Sequence, residues 1–505
     1  MRFRFLSLIT VLLLAFSACP FSHAESEEAG FMMAGFDGQD TYRQWSDNSF
    51  FARMQELTGV RLSFEQYESE TAWDAAKAEM ASGSAAKLPD VLFKASLTRE
   101  EEQALLKAGV LRDLAPLLAD NCPNLNRILD SHPKVRAAIT LPGGEIAALP
   151  YVNYAAVQNG IWINRKWLSQ LKLEAPADLE SLENVLRAFK TRDPNGNGRQ
   201  DEIPLSFLGI FDLHFLSHAF GFLMNDYHIY ARDRQAVFAP LTDEYLQMIR
   251  WLHRMYKEEL LDRNGFYSND TMRAVTDSKA PQIYGMFMNP SLTNLVPSEW
   301  VADYQLLMPL EYNSSRRYRS LWGNSITGTF AITSACKEPE RLLAWVDYLY
   351  TEEGSVLASL GRENVDYVID GDGTWRLTER VNNTAAYTAV SLINSGTVPP
   401  GVSSDDFQLR YSDPEISRIV ADTIRLNTYC ELPFPAVQLT KEQMEHIAPL
   451  QNRIGMAVDL QASRWVLGED EPDDSSVKSF REELERLGLD EFMQFWQQIL
   501  DQEGD

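Results

Sequence analysis

Residues 193 to 202 read Asp-Pro-Asn-Gly-Asn-Gly-Arg-Gln-Asp-Glu, and this run restricts the backbone more tightly than any other in the chain. Oxygen-bearing side chains alternate at Asp193, Asn195 and Asn197, followed by the pair Asp201-Glu202. Gly196 and Gly198 permit the sharp bends that such a phrase needs. A hard divalent cation such as Ca2+ takes about six to eight oxygen ligands at roughly 2.3–2.6 Å. A loop presenting an oxygen at every second residue can wrap one such ion. Arg199 would then offer only its backbone carbonyl, and Glu202 would close the shell. The same residues also read as a polar Asx-and-glycine turn between a helix and a strand. Either way the loop is structural, since nothing in it suggests catalysis.

The spacing is like the start of an EF-hand loop, but it departs at the twelfth position, where Pro204 stands in place of Glu. Upstream, Leu182, Val185, Leu186 and Phe189 recur at helical spacing, with Asp178 as the expected N-cap. Downstream, Ile203-Pro-Leu-Ser-Phe-Leu208 reads as a short buried strand. Before the helix comes Trp162-Ile-Asn-Arg-Lys-Trp-Leu-Ser-Gln-Leu-Lys-Leu-Glu-Ala-Pro176. This run, a helix and then D-P-N-G-N-G-R-Q-D-E-I-P-L together resemble the family 1 extracellular solute-binding proteins of carbohydrate ABC transporters, in their lipoprotein-like branch. The alginate-binding members of that group hold Ca2+ in this loop. Matched position by position, the resemblance implies a structural Ca2+ on Asp193, Asn195, Asn197, the Arg199 carbonyl, Asp201 and Glu202.

At 505 residues the chain is long enough for two or three domains. A net charge of −26 argues against nucleic acid, whose phosphates need Lys and Arg, and against docking on anionic lipid. Residues 1–24 read as a signal peptide: Arg2 and Arg4 precede an apolar run from Phe5 to Ala18. Two processing routes are open. Ser22-His-Ala24 fits cleavage and secretion, whereas Phe16-Ser-Ala-Cys19 resembles a lipobox that would lipidate Cys19 at the cell surface. Both place the mature chain outside the cytoplasm. Cys122, Cys336 and Cys430 show no metal-ligand spacing and read as buried thiols.

Strand and helix patterns alternate from Gly30 onward, as a mostly parallel α/β sheet requires. Strands are expected at Gly30–Phe36, Thr58–Phe64 and Leu88–Phe93, with helices over Thr41–Leu57 and Trp73–Met80. A capping box, Thr98-x-x-Glu101, opens a helix that stops at Gly109. Glu145–Asn153 would cross into a second lobe, and Thr327–Thr333 would return. Residues 205–320 read as helix-rich. Gly361-Arg-Glu-Asn-Val-Asp-Tyr367 matches a turn of the resembled family, with Asn364 where glycine is usual. Asp370-Gly-Asp-Gly373 reads as a hairpin turn. Thr440-x-x-Gln443 caps a long helix, and Ser479–Leu500 is helical. The resemblance thus implies a periplasmic-binding-protein-like α/β fold: two lobes joined by a hinge, with a ligand cleft between them. The first lobe takes 25–153 plus 325–395, the second 154–324 plus 396–505.

Enzymatic motifs are absent: there is no G-x-S-x-G, H-E-x-x-H or P-loop. His214 and His218 lie one helical turn apart, but no nearby carboxylate completes a metal triad, and they read as core or cleft residues. Sugars present apolar C–H faces and hydroxyl rims, so their sites combine stacking rings with a few polar partners. In a two-lobe clamp this points to Lys94, Tyr151, Asn153, Phe211, Asn289, Trp322, Asn324 and Tyr367, with core packing the competing role for each aromatic. The expected function is capture of an oligosaccharide and delivery to an ABC permease by a monomer. A peptide or other solute bound by the same fold, or a secreted polysaccharide-degrading enzyme, are the other readings.

Overall fold

The computed structural model describes residues 30–38, 44–153, 159–267, 282–293, 295–320, 325–381, 384–393, 397–403, 405–435 and 439–502. The predicted leader with Cys19 and Ala24, and the predicted site residues Trp322 and Asn324, lie outside them. Among the described residues no helix is long and apolar enough to cross a membrane.

Two sheets organise the molecule. The first has six strands in the order Gly401–Val402, Leu149–Val152, Ser325–Ile332, Val91–Phe93, Phe31–Phe36, Leu62–Tyr67. Ser325–Ile332 runs antiparallel to both neighbours, whereas Phe31–Phe36 pairs in parallel on each side. Val91, Leu92 and Phe93 are all buried, as a strand covered on both faces requires. Gly35 has no alternative here, because a Cβ would lie 1.9 Å from the Phe93 carbonyl oxygen.

The helix after the first strand is shorter than its pattern suggests and runs Ser49–Thr58. Asn48 caps it by accepting the Phe50 amide at 2.9 Å, so Trp45–Asp47 is left as a separate 3-10 turn. Its last residue is Thr58, and Gly59 ends it in the left-handed region, so the second strand begins only at Leu62. Phe50, Phe51 and Met54 face Trp45, Phe93 and Trp345 in one aromatic core. Burying each such ring contributes roughly 1.5–3 kcal/mol.

The second sheet has the order Tyr304–Leu306, Gly160–Asn164, Tyr284–Asn289, Ile203–Leu205. The helix Leu179–Thr191 is capped by Asp178 and lays Leu182, Val185, Leu186 and Phe189 into this lobe's core. The same core takes the helices Asp243–Lys257, Lys441–Leu467, Asp474–Arg486 and Leu489–Gln502. The C-terminal helical stretch is therefore two helices, broken where Gly488 adopts φ 98°.

Two expectations need correcting. Residues 205–320 hold more than helices, including a hairpin of Ile229–Arg232 with Gln235–Phe238. The boundary after residue 395 also moves: Gly401 and Val402 pair with Tyr151 and Val152 in the first sheet. Phe407 packs with Tyr367 and Trp375, and the second lobe's core resumes only in the helix Pro414–Asn427. Asp370–Gly373 turns the hairpin of Tyr367–Ile369 with Trp375–Leu377. Asn364 sits at φ 61°, a backbone region that asparagine tolerates better than most residues.

Candidate functional site

The loop at 193–202 is built by its own side chains. Asp193 itself takes φ 45°, and Gly196 and Gly198 take 70° and 75°. The Asp193 carboxylate accepts the amides of Asn197 and Gly198 at 3.1 and 3.0 Å. Asn197 Oδ1 accepts the Arg199 amide at 2.8 Å. Asn195 and Asn197 donate their side-chain amides to Asp201, at 3.2 Å and at 3.0–3.1 Å. Glu202 differs from the rest. It is 3% exposed, and neither carboxylate oxygen has a hydrogen-bond partner. Burial raises its pKa; the nearby backbone amides of Glu202 and Asn195 oppose this, while the charges of Asp201 and Asp193 add to it. A buried, orphaned carboxyl among acceptor oxygens is satisfied by a proton or by a cation. A half-turn of either Asn amide would present its oxygen instead of its nitrogen. The donor set is all oxygen, which suits a hard divalent ion.

The predicted ligand residues of the first lobe are held inward. Lys94 follows the strand Val91–Phe93 at φ 52° and is fully buried. Its ammonium donates to Asp37 Oδ1 at 2.7 Å, the Asp37 carbonyl at 3.1 Å and the Leu392 carbonyl at 2.9 Å. Tyr151 is buried in its strand, which raises its phenol pKa. Asn153, next along, is half-buried. Tyr367 packs on Trp375 and Phe407, and burial first, then Glu363, pushes its phenol up to about 12.

In the second lobe Phe211 remains 42% exposed, beside Leu208 at 41%. Beneath Phe211 lies a residue that the sequence did not reveal. Arg319 is 1% exposed, with its guanidinium 4.1 Å from the Phe215 ring centroid and 5.3 Å from that of Phe211. It donates to Asp226 at 2.8 Å and to the Met224 carbonyl at 3.2 Å. Asp212 completes this layer by accepting the Leu208 amide at 2.7 Å and the Asn159 side chain at 3.1 Å. Burial pushes the Asp212 carboxyl up to about 7, against the Leu208 amide, the Arg319 charge and Asn159. The Asn289 carbonyl accepts the Trp162 indole at 2.8 Å, and its side chain accepts the Ser291 amide at 3.0 Å. Thus Phe211 with Leu208 forms an exposed apolar edge over a buried polar layer, which suits contact with the C–H face of a ligand.

His218 is bonded to the Phe215 carbonyl at 2.8 Å, and His214 to the Tyr245 hydroxyl at 3.2 Å. The three cysteines are free, Cys122 and Cys336 being buried and Cys430 half-buried.

No family model matches the sequence. The chain is 26% identical to FusA, a fructooligosaccharide ABC transporter substrate-binding protein of Streptococcus pneumoniae, over 89% of this chain and 86% of FusA. The structure of FusA with kestose superposes with a TM-score of 0.66 at 23% identity, covering 94% of this chain and 99% of FusA. An EF-hand mutant of FusA has also been solved, and superposes with a TM-score of 0.65. A solute-binding protein from Bifidobacterium longum infantis, described as binding HMO, gives a TM-score of 0.70 at 21% identity over 93% of this chain and 98% of its own. The alginate-binding protein AlgQ2, solved without calcium ion, gives 0.60 at 20% identity over 94% and 98%. The fold is that of the ABC-transporter solute-binding proteins.

Proposed function

We infer that this chain, a member of the carbohydrate solute-binding proteins of ABC importers, captures an oligosaccharide outside the cytoplasm and delivers it to a membrane permease. The observation that carries this reading is the similarity to FusA along nearly the whole of both chains. Hinge closure of one lobe on the other would commit the ligand. Phe211, backed by Arg319, is the described residue best suited to stack on a sugar ring. Trp322, Asn324, Asn153 and Asn289 remain candidates for its hydroxyls. The buried cations Lys94 and Arg319 each carry an aspartate partner, which favours an uncharged sugar over a uronate. The relatives are binding proteins, and the reading for this chain is likewise non-catalytic.

A Ca2+ ion held by Asp193, Asn195, Asn197, the Arg199 carbonyl, Asp201 and Glu202 would supply charge neutralisation to Glu202 and stiffen the second lobe. The EF-hand mutant of FusA and the calcium-free form of AlgQ2 support this reading. The leader would end in lipidation of Cys19 or in cleavage after Ala24.

A thermal-shift and calorimetric screen of the mature protein tests both parts. Neutral oligosaccharides are expected to raise the midpoint without being degraded, and peptides are not. Stabilisation by peptides alone would overturn the sugar reading. Chelator is expected to lower the midpoint by mass action, removing about 2.7 kcal/mol of stabilisation relative to Ca2+ at a hundred times its Kd. A midpoint indifferent to chelator would remove the ion from the loop.

A further inference from the structure

Within the second lobe, His214, His228 and Asp459 come together from three separate elements. His214 opens the 3-10 helix His214–Phe220, and His228 ends the turn before the strand Ile229–Arg232. Asp459 lies on the helix Lys441–Leu467. One ligating atom from each lies within 4.8 Å of the other two.

The arrangement leaves His228 poorly satisfied as a packing residue. It is 6% exposed, and its Nδ1 is buried without a hydrogen-bond partner. Its Nε2 faces Asp459 Oδ1 at 3.6 Å, which is too long for a hydrogen bond. Its backbone sits at φ 58°, a region that costs energy for a residue with a side chain. An ion on Nε2 would bridge this ring to Asp459, while Nδ1 on the other side of the ring is left for water.

We propose that His214, His228 and Asp459 form a site for a borderline divalent transition metal, with Zn2+ the best match. Two imidazoles and one carboxylate are a donor set that Zn2+ prefers and that Ca2+ does not. Bonds of about 2.0–2.1 Å in a tetrahedron place neighbouring ligand atoms about 3.3 Å apart, close to the 3.6 Å between His228 and Asp459. The longest separation in the cluster needs only a side-chain adjustment. Burial holds both imidazoles in the neutral form that ligates. The Tyr245 hydroxyl, 3.2 Å from His214 Nε2, sets the orientation of that ring. Asp459, whose side chain is 52% exposed, gives the ion a way in and leaves a position open to water. Arg319 lies near both rings and opposes a cation, so the site is one of moderate affinity. Its effect would be to staple the long helix Lys441–Leu467 to the 3-10 helix and the hairpin. This proposal is independent of the sugar reading.

The test uses the full mature chain, stripped of metal and then saturated with Ca2+ to occupy the loop. Co2+ is expected to bind one per chain with the visible absorption of a tetrahedral site, and Zn2+ to displace it. His228→Gln and Asp459→Asn are each expected to weaken Zn2+ at least tenfold, while Glu482→Gln on the exposed face of the helix Asp474–Arg486 leaves Zn2+ unchanged. Asp459→Asn removes a half-exposed carboxylate, so it remains informative if His228→Gln fails to fold. Absence of a tetrahedral Co2+ spectrum, or Zn2+ binding indifferent to Asp459→Asn, would overturn the proposal and leave ordinary water as His228's partner.

Discussion

Lys94 in the first lobe and Arg319 in the second are both buried cations paired with an aspartate, yet they are built differently. The pair Lys94–Asp37 is closed: the two side chains are 0% and 1% exposed and 2.7 Å apart, and the ammonium also donates to the backbone carbonyls of Asp37 and Leu392. Arg319 is open on one side. Its partner Asp226 is 52% exposed, and its guanidinium lies under Phe211, which reaches the surface. A compact ammonium is best satisfied by converging oxygens, whereas a planar guanidinium can also stack on rings. The difference separates a charge that holds a lobe together from one that supports a surface.

The largest effect should come from breaking the closed pair. Asp37→Ala strands a buried ammonium and is expected to cost about 3–5 kcal/mol, read as a shift of the urea midpoint. A loss below about 1 kcal/mol would show that Lys94 is reached by solvent after all. Next comes Phe211→Ala. It should weaken sugar binding about tenfold, the scale of one aromatic contact, while moving the unfolding midpoint little. The reverse pattern would make Phe211 a packing residue.

The smallest effect concerns Asp212, whose folded-state carboxyl titrates at about 7, above the 3.8 of an ordinary aspartate. The folded chain therefore binds more protons than the unfolded one between these values. The stability contributed by protonated Asp212 is full below about pH 4 and is lost as the pH rises through 7. Asp212→Asn should flatten urea midpoints measured between pH 5 and 8. An unchanged slope would mean that Arg319 already holds Asp212 ionised.

What was readable in the sequence had its determinants close together. The loop at 193–202 carries all its donors within ten residues, and its flanking helix announces itself through Asp178 and the Leu182–Phe189 stripe. Thr98 and Thr440 form the expected capping boxes. The pairing of Lys94 with Asp37 was not readable, because Asp37 lies at another strand's end. Arg319 went unnoticed because its value depends on Phe215 and Asp226, which only the fold brings near. His228 and Asp459 are related in the same way. The hairpin 229–238 was hidden by chemistry rather than distance. Asp233 and Arg234 take φ 52° and 63°, the type I′ geometry that Asn-Gly usually signals, without any glycine.

The strand Ser325–Ile332 lies between Val91–Phe93 and Leu149–Val152, so the first sheet cannot close in the order in which it is made. Ribosomes add about 5–20 residues per second, so on the order of ten seconds or more separates the appearance of Val91–Phe93 from that of its central neighbour. Through that interval Val91–Phe93 keeps an open edge on the side that Ser325–Ile332 later fills. The same wiring means that a fragment ending near residue 153, however protein-like its composition, would lack the middle of its own sheet.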